Sequence, residues 1–387
     1  MPLRLANKVI PLLALLALAL LWSLDYASVQ PNRIAPGSGQ SLAAALGLAW
    51  ALLVSGLLLL CGLLAVAPLR RADRLLLALL ALLLVQLPLS LAWLVTRHVA
   101  ADMPQLRIGL GAGFWSLLLL LGLMLIELQQ RLRLHRGWLL GSGLALALLL
   151  LVLVRLGWLE PLALLREYQA RSQQFAAALR SHLALVGATV ACSGLLGGVL
   201  ALWIGRFPGA QRSCLGILSF IQTIPSLALF GLLIAPLGYL SAQFPLLQQL
   251  GVRGIGWAPA LLALIAYSLL PIVRNTAVAL QAVEPSVIEA ARGMGMSPRQ
   301  VLIQVRLPLA LPVILEGVRV TTIQAIGLTA VAALIGAGGF GTFIFQGLGQ
   351  AAMDLIVLGA VPIILLALLA DALFGLLGER CRGGAPP

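Results

Sequence analysis

The hexapeptide Gly336-Ala337-Gly338-Gly339-Phe340-Gly341 has the GxGxxG spacing with which a glycine-rich turn cradles a pyrophosphate. Its surroundings oppose that chemistry. It follows an apolar run with no strand before it, and no acidic residue about twenty positions on reads as a ribose contact. A compact turn at the external end of a membrane span explains it better. Lys8 is the only lysine in the chain, so a GxxxxGK[ST] phosphate loop is excluded and any ATP chemistry belongs to another polypeptide. His98, His135 and His182 are isolated, and Cys61, Cys192, Cys214 and Cys381 have neither metal-ligand nor disulfide spacing. With no paired carboxylates and no nucleophile beside a base, no catalytic residue, metal or cofactor is expected.

A second group of residues is suited to mechanical work. Glu289-Ala290-Ala291-Arg292-Gly293-Met294-Gly295 is followed, after nine residues, by Val305-Arg306-Leu307-Pro308, a polar island among apolar runs. Ser286-Val287-Ile288-Glu289 has the form of a capping box, in which a hydroxyl takes an orphan backbone N–H and the carboxylate returns to the cap. Ser297-Pro298-Arg299-Gln300 repeats it, with Pro298 at the favoured first helical position. The spacing predicts two short helices, 287–292 and 298–306. Gly293 and Gly295 supply the reversal between them, because glycine reaches backbone angles that other residues avoid. Val301, Leu302 and Val305 give the second helix an apolar face, and Arg299 and Arg306 project on a shared side. A hairpin with one apolar face suits a cleft in a soluble partner; it would also serve as a capped, solvated connection between two spans.

Composition says what must carry these groups. Hydrophobic residues make up 61% of the 387 and charged residues 10%, with mean hydropathy +1.07, whereas a soluble domain is about half apolar and about a quarter charged. The chain is therefore a polytopic, all-α membrane protein. A formal charge of +13 would suggest nucleic acid in a soluble protein. Here the basic residues sit in short loops between apolar runs and read as topology signals, so no nucleic-acid partner is expected. About 20 apolar residues cross the hydrocarbon core. Ten runs qualify: 9–24, 42–67, 75–95, 108–126, 137–156, 183–205, 214–235, 257–273, 312–335 and 354–377. The eighth is short, and Pro225 interrupts the seventh. Starting in the cytoplasm puts most loop arginines inside, among them Arg70, Arg71, Arg74, Arg131, Arg133 and Arg136, and favours N-in, C-in. The 274–311 loop then lies inside as well. Arg4 and Lys8 before the first run resemble a signal peptide, but Asp25-Tyr26-Ala27 is a poor cleavage site and an uncleaved span fits better.

The chain divides near residue 170, into an N-terminal region 1–170 and a second region 171–380. The first holds about five Leu/Ala-rich spans without a motif that carries chemistry, and ends in a polar external connection from Glu160 through Glu167 and Arg171 to Arg180. In the second, Gly, Pro, Gln, Thr and Asn enter the spans. Such residues usually face a bundle interior or a pathway. Pro225 should break its span and free carbonyls that a neighbour or the pathway must satisfy. Gln222, Thr223 and Ser226 around it either line the route or bond between helices. Asn275 lies at a membrane boundary, as a pathway or capping residue. Glu316 and Arg319 are spaced to pair on one helical face, and Asp371 reads as interfacial.

The island resembles the EAA motif of bacterial ABC importer permeases, with Glu289, Ala290, Ala291, Gly295, Leu307 and Pro308 matching and Val305 in place of the usual Ile. Three further blocks, Gln222 to Ala228, Tyr267 to Thr276 and Ala333 to Gly341, are similar to permeases for glycine betaine, choline and carnitine. The extra N-terminal spans resemble the YehY-type osmoprotectant permeases. The resemblance implies a type I (MetI-like) permease core of an importer in a bacterial inner membrane, about ten transmembrane helices in all, with a coupling hairpin at 284–308. It also implies partners: two cytoplasmic ATPases that receive the hairpin, a periplasmic solute-binding protein, a second permease subunit, identical or related, and the surrounding membrane lipid. Glu289 would hold the hairpin together and Gly295 would permit its bend. An ion-gradient-driven transporter is the alternative, and would call for more ionisable residues within the spans.

Overall fold

The computed structural model describes residues 8–33, 37–67, 72–98, 105–132, 134 and 137–381. Arg4, Arg70, Arg71, Arg133, His135 and Arg136 lie outside them. The chain forms two compact units, Met1–Ala170 and Arg171–Pro387.

In the first unit α1 (Val9–Ser23), α2 (Leu42–Leu46), α3 (Leu48–Val66), α4 (Ala72–His98), α5 (Ala112–Leu132), α6 (Gly137–Arg155) and α7 (Ala163–Ala170) are joined by three short strands. α1 packs against α3 and α5. Its buried side chains are Ile10, Ala14, Ala17 and Leu21, one stripe at helical spacing, while Leu12, Leu15 and Leu16 stay exposed. That distribution suits a hydrocarbon solvent, in which apolar side chains face outward at no cost and small residues bring helices together. The strands β1 (Ala27–Gln30), β2 (Ser38–Gln40) and β3 (Arg107–Leu110) make an antiparallel sheet of order β2-β1-β3, an addition to the helical architecture that the sequence did not announce. The polar connection that ends the unit is partly internal. Glu167 is 3% exposed and takes Arg33 Nε at 2.9 Å and Arg107 Nη1 at 2.7 Å, so it ties α7 to the sheet and to the segment after β1.

The second unit contains α8 (Ser172–Arg206), α9 (Pro208–Thr223), α10 (Ser226–Gln243), α11 (Pro245–Gln249), α12 (Trp257–Gln281), α13 (Pro285–Gly293), α14 (Pro298–Gln300), α15 (Leu307–Ala332), α16 (Gly341–Gly349) and α17 (Met353–Cys381). α12 is the central helix and touches α8, α9, α10 and α15. Two glycines allow that. A Cβ on Gly197 of α8 would lie 2.7 Å from Ile272 Cγ2, and one on Gly317 of α15 would lie 2.8 Å from Asn275 Cβ. Asn275 thus sits at the α12–α15 crossing.

Eight helices among the described residues are long and apolar enough to cross a membrane; α1 and the segment Gly141–Arg155 are shorter apolar helices. Five predicted spans change shape. The run 42–67 is divided at Gly47 into α2 and α3, and the run 108–126 begins in β3 ahead of α5. The run 214–235 is broken at Ile224 and Pro225 into the separate helices α9 and α10, because proline has no N–H to continue the ladder. The run 257–273 extends to Gln281, and the run 312–335 belongs to a continuous helical stretch, Pro298–Ile335, that begins inside the predicted hairpin.

Candidate functional site

The hairpin begins where α12 ends. Pro285 takes the first helical position of α13, with Glu284 as its cap residue and no side-chain capping bond. Ser286 is therefore not the cap; its Oγ instead donates to Glu284 Oε2 at 3.3 Å. The helix closes on a left-handed glycine. Gly295 has φ +83° and donates to Arg292 O at 2.9 Å, and Met296 N donates to Ala291 O at 3.2 Å, the paired bonds that satisfy the last carbonyls of a helix. Gly293 lies in the last helical turn, so the bend belongs to Gly295 alone. Past it the Ser297 cap forms as the sequence predicts. Gln300 N donates to Ser297 Oγ at 3.4 Å, and Ser297 N donates to Gln300 Oε1 at 2.8 Å.

The second arm departs from the prediction. After α14 the chain winds as a π-helix over Val301–Arg306 and passes directly into α15. Pro308 has no N–H for Gln304 and its ring crowds that carbonyl, so a wider turn relieves the clash. The wider turn also changes which residues share a side. Arg306 does not project beside the exposed Arg299; its Nη2 donates to Leu280 O at 2.8 Å, at the C-terminal end of α12. The apolar face likewise turns inward. Val301 is buried and Leu302 packs on Ala279, Leu280 and Ala310, with Val305 half-buried. Ala291 is buried, while Glu289, Ala290, Leu307 and Pro308 are exposed. Among the described residues no hydrogen bond or ion pair from Glu289 holds the hairpin together; backbone caps, Arg306 and the inner apolar face do that. What faces outward is Met294 at the tip, 77% exposed, with Ile303 and Val287.

A cavity of about 270 Å³ opens at the break between α9 and α10, lined by Gln222, Thr223, Ile224, Pro225, Ser226, Tyr267, Gln324 and Leu328. Four of the five expected pathway residues meet here; Asn275 does not. Gln222 lines this cavity and also bonds between helices, its Nε2 donating to Tyr267 O on α12 at 2.8 Å. Tyr267 Oη donates to Ile224 O. Thr223 turns its hydroxyl to Phe220 O at 2.7 Å. Tyr267 is ten residues from the start of α12 and Gln324 eight from the end of α15, about 15 and 12 Å at 1.5 Å per residue. Both residues thus lie well inside helices long enough to cross an apolar layer about 30 Å thick. Tyr267, Gln324 and Leu328 escaped the sequence reading of the pathway, because one residue of a span reveals its neighbours only after packing.

Toward the hairpin end of α15, Arg319 Nη1 meets Glu316 Oε1 at 3.1 Å, the expected pair. Its Nη2 and Nε meet Asp371 Oδ1 of α17 at 2.6 and 2.8 Å. Asp371 is therefore an ion-pair partner rather than a merely interfacial residue. At the other end of α15, the GxGxxG segment is a turn. Gly336, Gly338 and Gly339 have positive φ, and Gly339 N donates to Ser181 Oγ of α8 at 2.9 Å. His182 beside it is fully buried, its ring 5.5 Å from that of Phe340.

A wider, shallow depression of about 510 Å³ along α6, at Gly137, Trp138, Gly141 and Ser142, has no charged lining residue among the described residues.

Residues 193–383, which include the hairpin and the cavity, match the family described as the inner membrane component of binding-protein-dependent transport systems. Residues 6–165 match the N-terminal domain of the ABC transporter permease YehY. Over 190 residues the chain is 42% identical to the osmoprotectant import permease protein OsmW of Salmonella typhimurium, covering 49% of this chain and 83% of that one. It is 38% identical over 175 residues to the carnitine transport permease protein OpuCB of Listeria monocytogenes, covering 45% and 73%. It is 39% identical over 181 residues to the choline transport system permease protein OpuBB of Bacillus subtilis, covering 46% and 76%. A hairpin locked to two long helices, a cavity at the break beside them and these matches together place the chain: it belongs to the inner membrane components of binding-protein-dependent transport systems, the permeases of ABC importers, and carries a YehY-type domain ahead of its permease core.

Proposed function

We propose that this chain moves small quaternary-ammonium or zwitterionic osmoprotectants, of the glycine betaine, choline and carnitine class, inward across a bacterial inner membrane. The relatives' names motivate the substrate class. The observation that carries the mechanism is continuity: the hairpin passes unbroken into α15 and is bonded through Arg306 to the end of α12, and both helices border the cavity. A push on the hairpin is thereby a push on two cavity walls, which is what alternating access requires of a rigid element.

In this reading the hairpin at 284–308 faces the cytoplasm, the chain is N-in and C-in, and two separate ATPases supply hydrolysis, so the chain needs neither a nucleotide site nor a cofactor of its own. A periplasmic binding protein delivers the solute, and a second permease subunit, identical or related, completes the pathway. The outward-facing Met294, Ile303 and Val287 supply the apolar contact for the ATPase; methionine adapts well to such a surface.

Proteoliposomes test it. The chain reconstituted with a cognate ATPase and binding protein should take up labelled glycine betaine only when ATP is hydrolysed on the hairpin side. Uptake by the chain alone, driven by an ion gradient, would sink this reading in favour of a secondary transporter.

A further inference from the structure

Two prolines on neighbouring segments leave two backbone carbonyls without a helical donor, and each is met by a side chain from the other segment. Pro271 in α12 has no N–H to return to the carbonyl of Tyr267 four residues earlier. Gln222 Nε2 fills that place at 2.8 Å. Across from it the chain leaves helical geometry at Ile224 (φ −70°, ψ 128°) and Pro225 (φ −56°, ψ 136°). The first backbone bond of α10 runs from Leu229 N to Pro225 O, which leaves the Ile224 carbonyl to the hydroxyl of Tyr267. One residue of α12 thus holds the end of α9 at two points, accepting with its carbonyl and donating with its phenol. Its ring is 5% exposed and forms part of the cavity wall.

We propose that Tyr267 is a positioning residue for transport, the latch through which movement of α12 shifts the Gln222–Ser226 wall of the cavity. The inference rests on the hairpin being the motor connection. From Tyr267 the helix runs on to Gln281, and Leu280 is bonded to the hairpin through Arg306. A displacement of the hairpin therefore reaches Tyr267. A broken wall segment that failed to follow would lose both of its bonds to Tyr267. Two bonds from one residue to the end of α9 oblige the wall to move with the helix, whereas packing alone would let the surfaces slide.

The variant Tyr267→Phe keeps the ring and removes the donor. In proteoliposomes with the ATPase and binding protein, ATP-driven uptake of glycine betaine should fall about tenfold, the scale of one lost buried hydrogen bond. Accessibility separates a latch from a brace. A membrane-impermeant maleimide applied to Ser226→Cys, with labelling read at that residue by mass spectrometry, should depend on nucleotide in an otherwise native chain and lose that dependence when Tyr267→Phe is added. A second route addresses the other carbonyl: Gln222→Leu should impair uptake, and Pro271→Ala in the same chain should restore it by returning a backbone donor to Tyr267. Native uptake by Tyr267→Phe, or labelling that still follows nucleotide in that variant, overturns the latch. Absence of ATP-driven uptake by the unsubstituted chain would instead overturn the importer reading beneath it.

Discussion

The coupling hairpin and the break at Pro225 solve the same problem, an interrupted helix, in opposite ways. At the hairpin the orphan groups are met within a few residues, by the Gly295 bonds and by the Ser297–Gln300 box. At the break the Ile224 carbonyl is met from 43 residues away by the Tyr267 hydroxyl, and Gln222 beside it in turn meets the Tyr267 carbonyl 45 residues on. Local closure makes a stiff unit that can be pushed as a whole. Distant closure makes the geometry of the break depend on where α12 lies.

If that contrast holds, substitutions in the helix contacts around α12 should outweigh those in the hairpin. The largest effect is expected for Gly197→Leu, whose Cβ alone would come 2.7 Å from Ile272 Cγ2. Overpacking of this kind costs about 1–3 kcal/mol, and thermal unfolding in detergent should show a clear drop; an unchanged midpoint would contradict the close α8–α12 approach. Gly295→Val comes next. A Cβ there meets nothing within 4 Å, so the penalty is the left-handed backbone alone, about 1–2 kcal/mol. Membrane insertion should be intact while uptake per ATP hydrolysed falls, and Gly295→Asn should recover part of it because asparagine tolerates that conformation. Native coupling by the valine variant would remove the bend from the mechanism.

The smallest effects discriminate between the two serines. Ser297→Ala should cost about 1 kcal/mol of local helix stability, visible as faster hydrogen exchange over 298–302, whereas Ser286→Ala should fall within about 0.5 kcal/mol. Equal responses would mean that the hairpin's first arm is capped by Ser286 after all.

The hairpin was readable because caps and glycine bends are short-range: Ser297, Pro298, Gln300 and Gly295 signal their geometry through neighbours a few positions away. The misreading of Ser286 has the same origin, since Pro285 moved the helix start two residues earlier and the serine became the second helical position. Arg299 and Arg306 were misassigned to a shared side because the spacing argument assumed 3.6 residues per turn, and Val301–Arg306 is a π-helix. The cavity was half readable. Pro225 announced the break and its polar neighbours, but nothing near Tyr267, Gln324 or Asp371 announces a partner on another helix.

Composition, the arginine loops, the single lysine and the EAA-like island are enough, from the sequence alone, to specify a membrane chain without a Lys-containing phosphate loop and with a polar hairpin between two spans. These properties are sums or short-range patterns, and they survive without knowledge of packing. The tertiary structure decided which faces of the spans meet. In helices rich in leucine and alanine on every side, hydrophobic periodicity does not mark an inner face, so close approach is set by single glycines such as Gly197 and Gly317. Only that approach brings Tyr267 to Ile224, Gln222 to the carbonyl that Pro271 leaves free, and Asp371 to Arg319.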